Sequence, residues 1–199
     1  MNATTKSPRE TAKQLRREAI FEAAERLIRR SGSTDFSMQD LAHAAGLSLA
    51  TTYNLIGPKA TVLYALLNLR ADSIRHVPER LHESGDPLGV VMTSARCAVQ
   101  RYTGDPDFYR PLMRFLLGVP DPVHHPAFMA RGLEYWRAVM CPIGASGRSS
   151  LDVSADELAT FVHVFFTGAL SMWVQAHYDE NRFLSELERY LALLLRSLR

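Results

Sequence analysis

The stretch from Phe36 to Lys59, FSMQDLAHAAGLSLATTYNLIGPK, constrains this chain more than any other. Two short helical patterns meet in it at a tight turn. Ser37 is placed to cap the first helix, and Asp40 three residues on makes a capping box with aspartate where glutamate is usual. Leu41, Ala42 and Ala45 supply a narrow apolar face. Gly46 stands where a helix stop needs a left-handed residue, a conformation glycine takes at little cost. Leu47 reads as a buried plug, and Ser48 as the cap of the next helix.

The second helix, 49–56, has an unusual outer face. With side chains advancing by about 100° per residue, Leu49, Thr52 and Ile56 fall together and are expected to face the core. Ala50, Thr51 and Asn54 fall opposite them, with Tyr53 and Leu55 on the flanks. The outer face is therefore small, neutral and hydrogen-bonding, whereas an ordinary solvated face carries Lys and Glu. That composition suits a helix lodged in a DNA major groove, where Ala and Thr meet a thymine methyl and Asn pairs with an adenine edge. Two helices on a short glycine turn, the second one probing, is the helix-turn-helix arrangement.

The run AGLSLATTYNLIGPK resembles the helix-turn-helix of TetR-type transcriptional regulators, whose signature is AG-x-S-x-x-T-x-Y-x-x-F-x-x-K. Ala45, Gly46, Ser48, Thr51, Tyr53 and Lys59 match it, and a variant reading ATPYNLFGSK is closer still. The chain departs from these patterns at Leu49 (often Lys), Thr52 (usually apolar or Pro), Ile56 (Phe) and Pro58 (Ser). The DNA-binding set is taken as Ser37, Ser48, Leu49, Ala50, Thr51, Tyr53, Asn54 and Lys59. Within it Thr51 and Asn54 face bases or phosphate, Tyr53 and Lys59 hold phosphates, and the two serines cap helices beside the DNA backbone.

Composition agrees with a soluble globular protein: 47% hydrophobic and 22% charged residues in 199. That length allows one domain or two small ones with a real core. The net charge of +2 is unevenly spread. Residues 1–59 hold nine Lys/Arg against six Asp/Glu, and the remainder fourteen against fifteen, so the basic excess lies with the proposed DNA-reading unit. Two cysteines, Cys97 and Cys141, are too few for a disulfide framework or a metal site and read as small buried hydrophobes. The seven histidines show no ligand spacing, so no metal and no cofactor is expected. The first residues lack the apolar run of a secretory signal, and the chain reads as cytoplasmic. Leu158 to Tyr178 is free of charge and long enough to span a bilayer. Thr160, His163, Thr167, Ser171 and Gln175 nevertheless lay a polar stripe along it, which reads as a buried helix of a water-soluble protein.

In chain order, residues 1–10 read as a mobile arm, with Lys6, Arg9, Lys13, Arg16 and Arg17 available to phosphate. Thr11 to Arg30 reads as a helix with Ile20, Ala23, Ala24 and Leu27 inward, completing a three-helix unit over 11–57. Pro58 opens a linking helix over 58–77, which Pro78 ends. Asp86-Pro87, Asp105-Pro106 and Asp121-Pro122 each announce a helix start. The helices follow over about 87–102, 106–118 and 122–141, the last with His125-Pro126 as an alternative start. Residues 142–153 read as a loop, and Ser154 with Glu157 caps a helix to about Tyr178. Asp179 to Asn181 turn into a last helix. No alternating strand pattern occurs, so the fold is all-α, with residues 78–199 forming an effector-binding and dimerisation domain.

The helix of 155–178 is apolar nearly all round and needs cover on two sides. Together with the last helix it makes half of a four-helix bundle that a second copy completes. The interface is assigned to Phe165, Gly168, Met172, Phe183, Leu187, Tyr190, Leu191, Leu194 and Leu198; the family resemblance implies a dimer through the same two helices. Large soft side chains between 87 and 178 suit an apolar pocket with a few polar groups. Its lining is assigned to Met92, Arg96, Phe108, Tyr109, Met113, Phe115, Leu116, Trp136, Met140, His163, Thr167 and Trp173, with Arg110 and Arg114 as further polar candidates. The sequence thus reads as a homodimeric, ligand-responsive repressor that binds a palindromic double-stranded operator and is released by a small-molecule effector. It carries no Ser/His/Asp set, carboxylate pair or phosphate loop that would make it an enzyme. The alternatives are a small helical ligand-binding protein or enzyme using that pocket, and a ligand-dependent activator of the same fold.

Overall fold

The computed structural model describes residues 7–71, 87–118, 121–122, 124–145 and 153–196. Among these, nine helices occur and no strand. They are α1 (Pro8–Ser31), α2 (Met38–Ala44), α3 (Leu49–Ile56), α4 (Lys59–Ala71), α5 (Pro87–Thr103), α6 (Pro106–Gly118), α7 (His125–Ala145), α8 (Ala155–Val174) and α9 (Glu180–Arg196).

The N-terminal unit forms by local chemistry. Helix α1 begins at Pro8, three residues before the expected start, because Ser7 and Glu10 close a full capping box. Residues 8–10 are therefore helix rather than arm. Ile20, Ala23, Ala24 and Ile28 are fully buried against α2, α3 and α4. Ser37 and Asp40 cap α2 reciprocally: Ser37 N–H donates to Asp40 Oδ2 at 2.8 Å, and Asp40 N–H donates to Ser37 Oγ at 3.1 Å. At the other end Gly46 takes φ 68°, while its N–H donates to the His43 carbonyl and that of Leu47 to the Ala42 carbonyl. This is a Schellman motif, and its left-handed position is the reason for glycine there.

Helix α4 leads out of this unit. Val62, Leu63, Leu66 and Leu67 are at most 2% exposed, and the helix packs on α1, α6 and α7 at once. The expected continuation over 72–77, and Pro78 with it, lie outside the described residues. Beyond α4, α7 and α8 form the most extensive helix pair, flanked by α5, α6 and α9. The third Asp-Pro signal resolves in favour of the alternative start: Asp121 caps from four residues back, taking the His124 N–H at 2.7 Å, and α7 starts at His125. Helix α7 continues through Ala145, so the expected loop at 142 begins at least four residues later; residues 146–152 lie outside the described residues. Helix α8 is long and apolar enough to cross a membrane (mean hydropathy 1.3), yet half of that window is buried inside the fold.

Helix α8 stops at Val174, short of the expected Tyr178. A second Schellman motif ends it, with His177 N–H on the Met172 carbonyl and Ala176 N–H on the Trp173 carbonyl. Ala176 occupies the left-handed position at φ 62°. No glycine announces that stop, which is why the sequence pattern overruns it. Asp179 then caps α9, accepting the Arg182 N–H at 2.8 Å, so the turn is 175–179 rather than 179–181.

Candidate nucleic-acid interface and effector core

Helix α3 presents its outer face to solvent. Thr52 (0% exposed) and Ile56 (8%) pin the inner face, and the Thr52 hydroxyl returns to the Ser48 carbonyl at 3.1 Å. Ala50 and Asn54 are exposed, and Tyr53 is 46% exposed beside them. Leu49 departs from expectation: it is 40% exposed, because it occupies the first helical position and turns out ahead of the core contact. Ser48 Oγ accepts the Thr51 N–H at 3.1 Å and lies 2.8 Å from the Thr51 hydroxyl, so the cap fixes the Thr51 rotamer. Gly57 (φ 92°) ends the helix and turns the chain into α4.

Two arginines of α1 hold the short helices in place. Arg17 donates to the Leu55 carbonyl at 2.7 Å and Arg26 to the Ala44 carbonyl at 3.2 Å. Each satisfies a carbonyl in the last turn of a helix and sits at the negative end of its dipole. Arg17 is thereby engaged inside the unit, not extended as a phosphate-seeking arm residue. Lys59 opens α4 as expected. Its ammonium lies 4.8 Å from the Phe36 ring centre and 5.9 Å from that of Phe115, and burial lowers its pKa. Lys59 therefore bridges the N-terminal unit and α6.

A second bridge was not legible in sequence. Arg29, near the end of α1, donates to Asp105 Oδ2 at 2.5 Å and lies 4.9 Å above the Phe108 ring, while also pairing with Glu25. Asp105 is the residue before α6, so the first turn of that helix is seated directly on α1. Phe108, assigned to the pocket, is spent at this junction. Nothing local announces a contact that spans 76 positions.

The C-terminal core is a chain of rings. Tyr102 lies 5.3 Å from Tyr109 and 6.0 Å from Phe166; Phe166 lies 5.5 Å from both Trp136 and Phe183. Tyr109, Met113, Leu116, Trp136, Met140 and Trp173 are buried here as expected, with Met92, Phe115, His163 and Thr167 partly so. The polar candidates divide. Arg96 is exposed and paired with Glu188 at 2.7 Å, so it does not belong to the pocket. Arg114 is exposed and donates to the Val174 carbonyl at 3.2 Å. Thr167 is satisfied by the His163 carbonyl of its own helix at 2.8 Å. Arg110 lies 4.7 Å over Trp173. His163 has both ring nitrogens buried without a hydrogen-bond partner, and burial lowers its pKa. Arg101 and Tyr135, absent from the assigned lining, lie in the same core: Arg101 is within 6 Å of the Tyr102 and Tyr109 rings, and the Tyr135 hydroxyl donates to the Ser94 carbonyl at 2.8 Å. Their helical spacing resembles ordinary core packing, so sequence offered no signal for them. Of the cysteines, Cys97 is partly buried and Cys141 is exposed, contrary to the reading of both as core residues.

The interface assignment also divides. Phe183, Leu187 and Leu191 are 0% exposed and form the chain's own core, which removes them from any surface. Phe165 and Tyr190 stack across α8 and α9 with centres 4.0 Å apart and stay half-buried, as does Leu194. Gly168 and Met172 are exposed, and Leu198 lies outside the described residues. Phe161 (50% exposed), Val164 (65%) and Leu193 (58%) extend the same face. Positions 161, 164, 165, 168 and 172 are one helical stripe.

No family model matches the sequence. No curated protein matches it either. Solved structures do. FadR of Thermus thermophilus, a TetR-family transcriptional repressor solved with lauroyl-CoA, superposes with a TM-score of 0.76 at 24% identity, over 92% of this chain and 95% of that one. A TetR-family regulator of Pectobacterium atrosepticum gives 0.71 at 20% identity over 97% of both chains. NalD of Pseudomonas aeruginosa, the secondary repressor of the MexAB-OprM multidrug efflux pump, gives 0.66 at 20%, over 94% and 97%. The chain has the fold of these regulators over 92–97% of its length.

Proposed function

We propose that this protein is a TetR-type transcriptional regulator: a homodimer that reads a palindromic operator and answers to a small-molecule effector. The observation that carries the reading is the outer face of α3, where Ala50, Thr51, Tyr53 and Asn54 form a charge-free, hydrogen-bonding surface on a rigidly capped helix. Such a face has little to offer water and much to offer base edges. The basic excess of residues 1–59 supplies the sequence-independent attraction to phosphate. Asn54 and Thr51 contact bases, while Tyr53, Ser37 and Ser48 lie toward the DNA backbone. Lys59 contributes positive charge at the α4 N-terminus, where it also braces α6.

The second copy docks on the exposed stripe of α8 and α9, forming a four-helix bundle that sets the two α3 helices about one DNA turn apart. Effector binding among the rings of the C-terminal core displaces α6 and α4. Arg29 carries that displacement into α1, whose Arg17 and Arg26 hold α3 and α2. The effector-bound and DNA-bound arrangements then disfavour each other through one coupling free energy, typically ~1–3 kcal/mol. Repression relieved by effector is the preferred sign, since the neighbours whose action is described, FadR and NalD, are repressors. The protein acts in the cytoplasm, where its DNA is, and performs no chemistry.

The test is binding to a labelled fragment of the gene's own upstream region, with competitor DNA at two salt concentrations. Saturable, salt-sensitive binding that survives competitor is expected. If neither that fragment nor selection from a random DNA library yields specific binding, the reading fails.

A further inference from the structure

The buried polar atoms that lack a hydrogen-bond partner are concentrated in the C-terminal domain. Among the described residues they belong to Asn68 of α4 and to Ser94, Arg101, Thr103, Arg110 and His163; none lies in the α1–α3 unit. A polar atom buried without a partner costs more than most hydrogen bonds return, so such a group calls for an explanation. Three of them, Ser94, Arg101 and His163, sit on α5 and α8, which both pack against α7. Ser94 and Arg101 are seven residues apart and share one face of α5. That face meets Tyr135 of α7, whose hydroxyl reaches the Ser94 carbonyl at 2.8 Å. One turn earlier on the same face of α7 stands Gly132, and the His163 ring occupies the space its missing side chain leaves: a Cβ there would lie 2.6 Å from His163 Cε1. The rings of Tyr102, Trp136 and Phe166 close the group, linked centre to centre at 5.5 to 6.0 Å.

Arg101 is the unusual member. Its Nη2 is buried and unpaired, its guanidinium lies 5.7 Å from the Tyr109 ring, and among the described residues no carboxylate pairs with it. The carboxylates that pair across elements nearby are committed elsewhere: Asp105 to Arg29, Glu188 to Arg96, Asp156 to Arg137. A permanent cation set among tyrosines, with a buried unpaired Nη2 and no counterion among the described residues, is costly to the protein alone and complementary to an oxyanion. We propose that Arg101 is the anion-recognising group of the effector site, and that the effector is an organic oxyanion with an apolar body. The oxyanion sits on Arg101, the body lies against Tyr102, Trp136 and Phe166, and Ser94 Oγ and the neutral His163 ring take up its remaining polar atoms. This rests on the regulator reading above and names the ligand class of that site.

Two dyes that differ by one group test it. 8-Anilinonaphthalene-1-sulfonate carries an oxyanion on an aromatic body, and N-phenyl-1-naphthylamine is the same body without it. Fluorescence titration of the full chain is expected to give saturable sulfonate binding. Arg101→Gln weakens the sulfonate about tenfold or more, as loss of a charge-assisted bond should, and changes the neutral dye less than about twofold. Arg101→Lys keeps the charge and is expected to retain most of the sulfonate affinity. Arg101→Leu raises the dye-free melting temperature, whereas a structural arginine would lower it. Equal weakening of both dyes in Arg101→Gln, or no weakening of the sulfonate, overturns the proposal; so does a wild-type chain that binds the neutral dye alone. Operator binding measured on the same preparation separates the readings. Loss of dye discrimination with operator binding intact removes the ligand class, and the converse removes the regulator.

Discussion

Ala176 stands at φ 62°, where an L side chain is unfavourable by about 1–2 kcal/mol. It is exposed, so no packing compensates. Ala176→Gly removes that strain but gives the unfolded chain more freedom, which takes back roughly 0.5–1 kcal/mol. The net expectation is stabilisation by about 0.5–1 kcal/mol, read as a rise of ~1–4 °C in melting temperature; a fall would mean that Ala176 makes a contact worth more than the strain. His163 makes an opposite contribution that depends on pH. Burial lowers its pKa from 6.5, so the folded ring stays neutral where the unfolded one takes up a proton. Stability should therefore decline as pH falls through 6.5, and decline less in His163→Gln. Asp40 and Glu157 titrate in a lower window. Hydrogen bonds within their caps lower both pKa values, so their stabilisation persists down to the ordinary values of 3.8 and 4.5 and is lost below. Melting curves between pH 7.5 and 5.5 thus isolate the histidine. At this scale the sequence was most readable where one residue type has one use. Ser37, Asp40, Gly46, Ser48, Ser154 and Glu157 all take the places their chemistry predicts. It was least readable at Ala176, where the hydrogen bonds of the Schellman turn hold a conformation the residue itself disfavours.

The elements follow from the same local rules, and their joints do not. All nine helix starts among the described residues have a cap or a proline within about four residues, so spacing locates them to within three residues. The α1 start lies at Pro8 because the Ser7–Glu10 box extends the helix beyond its apolar stripe, and the α8 stop lies at Val174 with no glycine to mark it. What fixes one helix against another is longer-range. Arg29 of α1 reaches Asp105 and Phe108 at the start of α6, and Lys59 reaches Phe36 and Phe115. A charged residue in a helix reads in sequence as solvated surface, so the bracing role of either was invisible. The Arg29–Asp105 pair is about 40% exposed on each side, which screens it. A double-mutant cycle with Arg29→Gln and Asp105→Asn should give a coupling of only about 0.5–1 kcal/mol in thermal stability. Its consequence for signalling should be larger than its energy, because it is the direct contact between the first turn of α6 and the helix that holds α2 and α3. Asp105→Asn keeps the size and shape of the side chain in front of α6 while removing the charge. If the cycle returned no coupling, α4 alone would have to carry the displacement.

At the scale of the molecule, the pattern of exposure decides how two copies can meet. The sequence showed that α8 and α9 are too apolar for one chain, but it could not divide their leucines and phenylalanines between inside and outside. The fold does so: Phe183, Leu187 and Leu191 turn inward, and Phe161, Val164, Met172 and Leu193 are left at 44–65% exposure. Helices of 20 and 17 residues are about 30 and 25 Å long. Two such faces offer on the order of the ~800 Å² per partner that a stable interface buries. Val164→Asp with Leu193→Asp places charge on that face at the two most exposed positions, where the single chain has least to lose. On the proposed dimer, the parent should sediment as two copies, and the variant should keep its helical spectrum and sediment as one at the same concentration. Its affinity for the full operator should fall roughly 10²–10⁴-fold, since each recognition helix then binds its half-site without the effective concentration the partner supplies. Binding to a single half-site should hardly change. A variant that stays dimeric would place the interface elsewhere. A monomer that still binds the full operator tightly would mean that pairing on DNA, and not this face, sets the spacing of the two α3 helices.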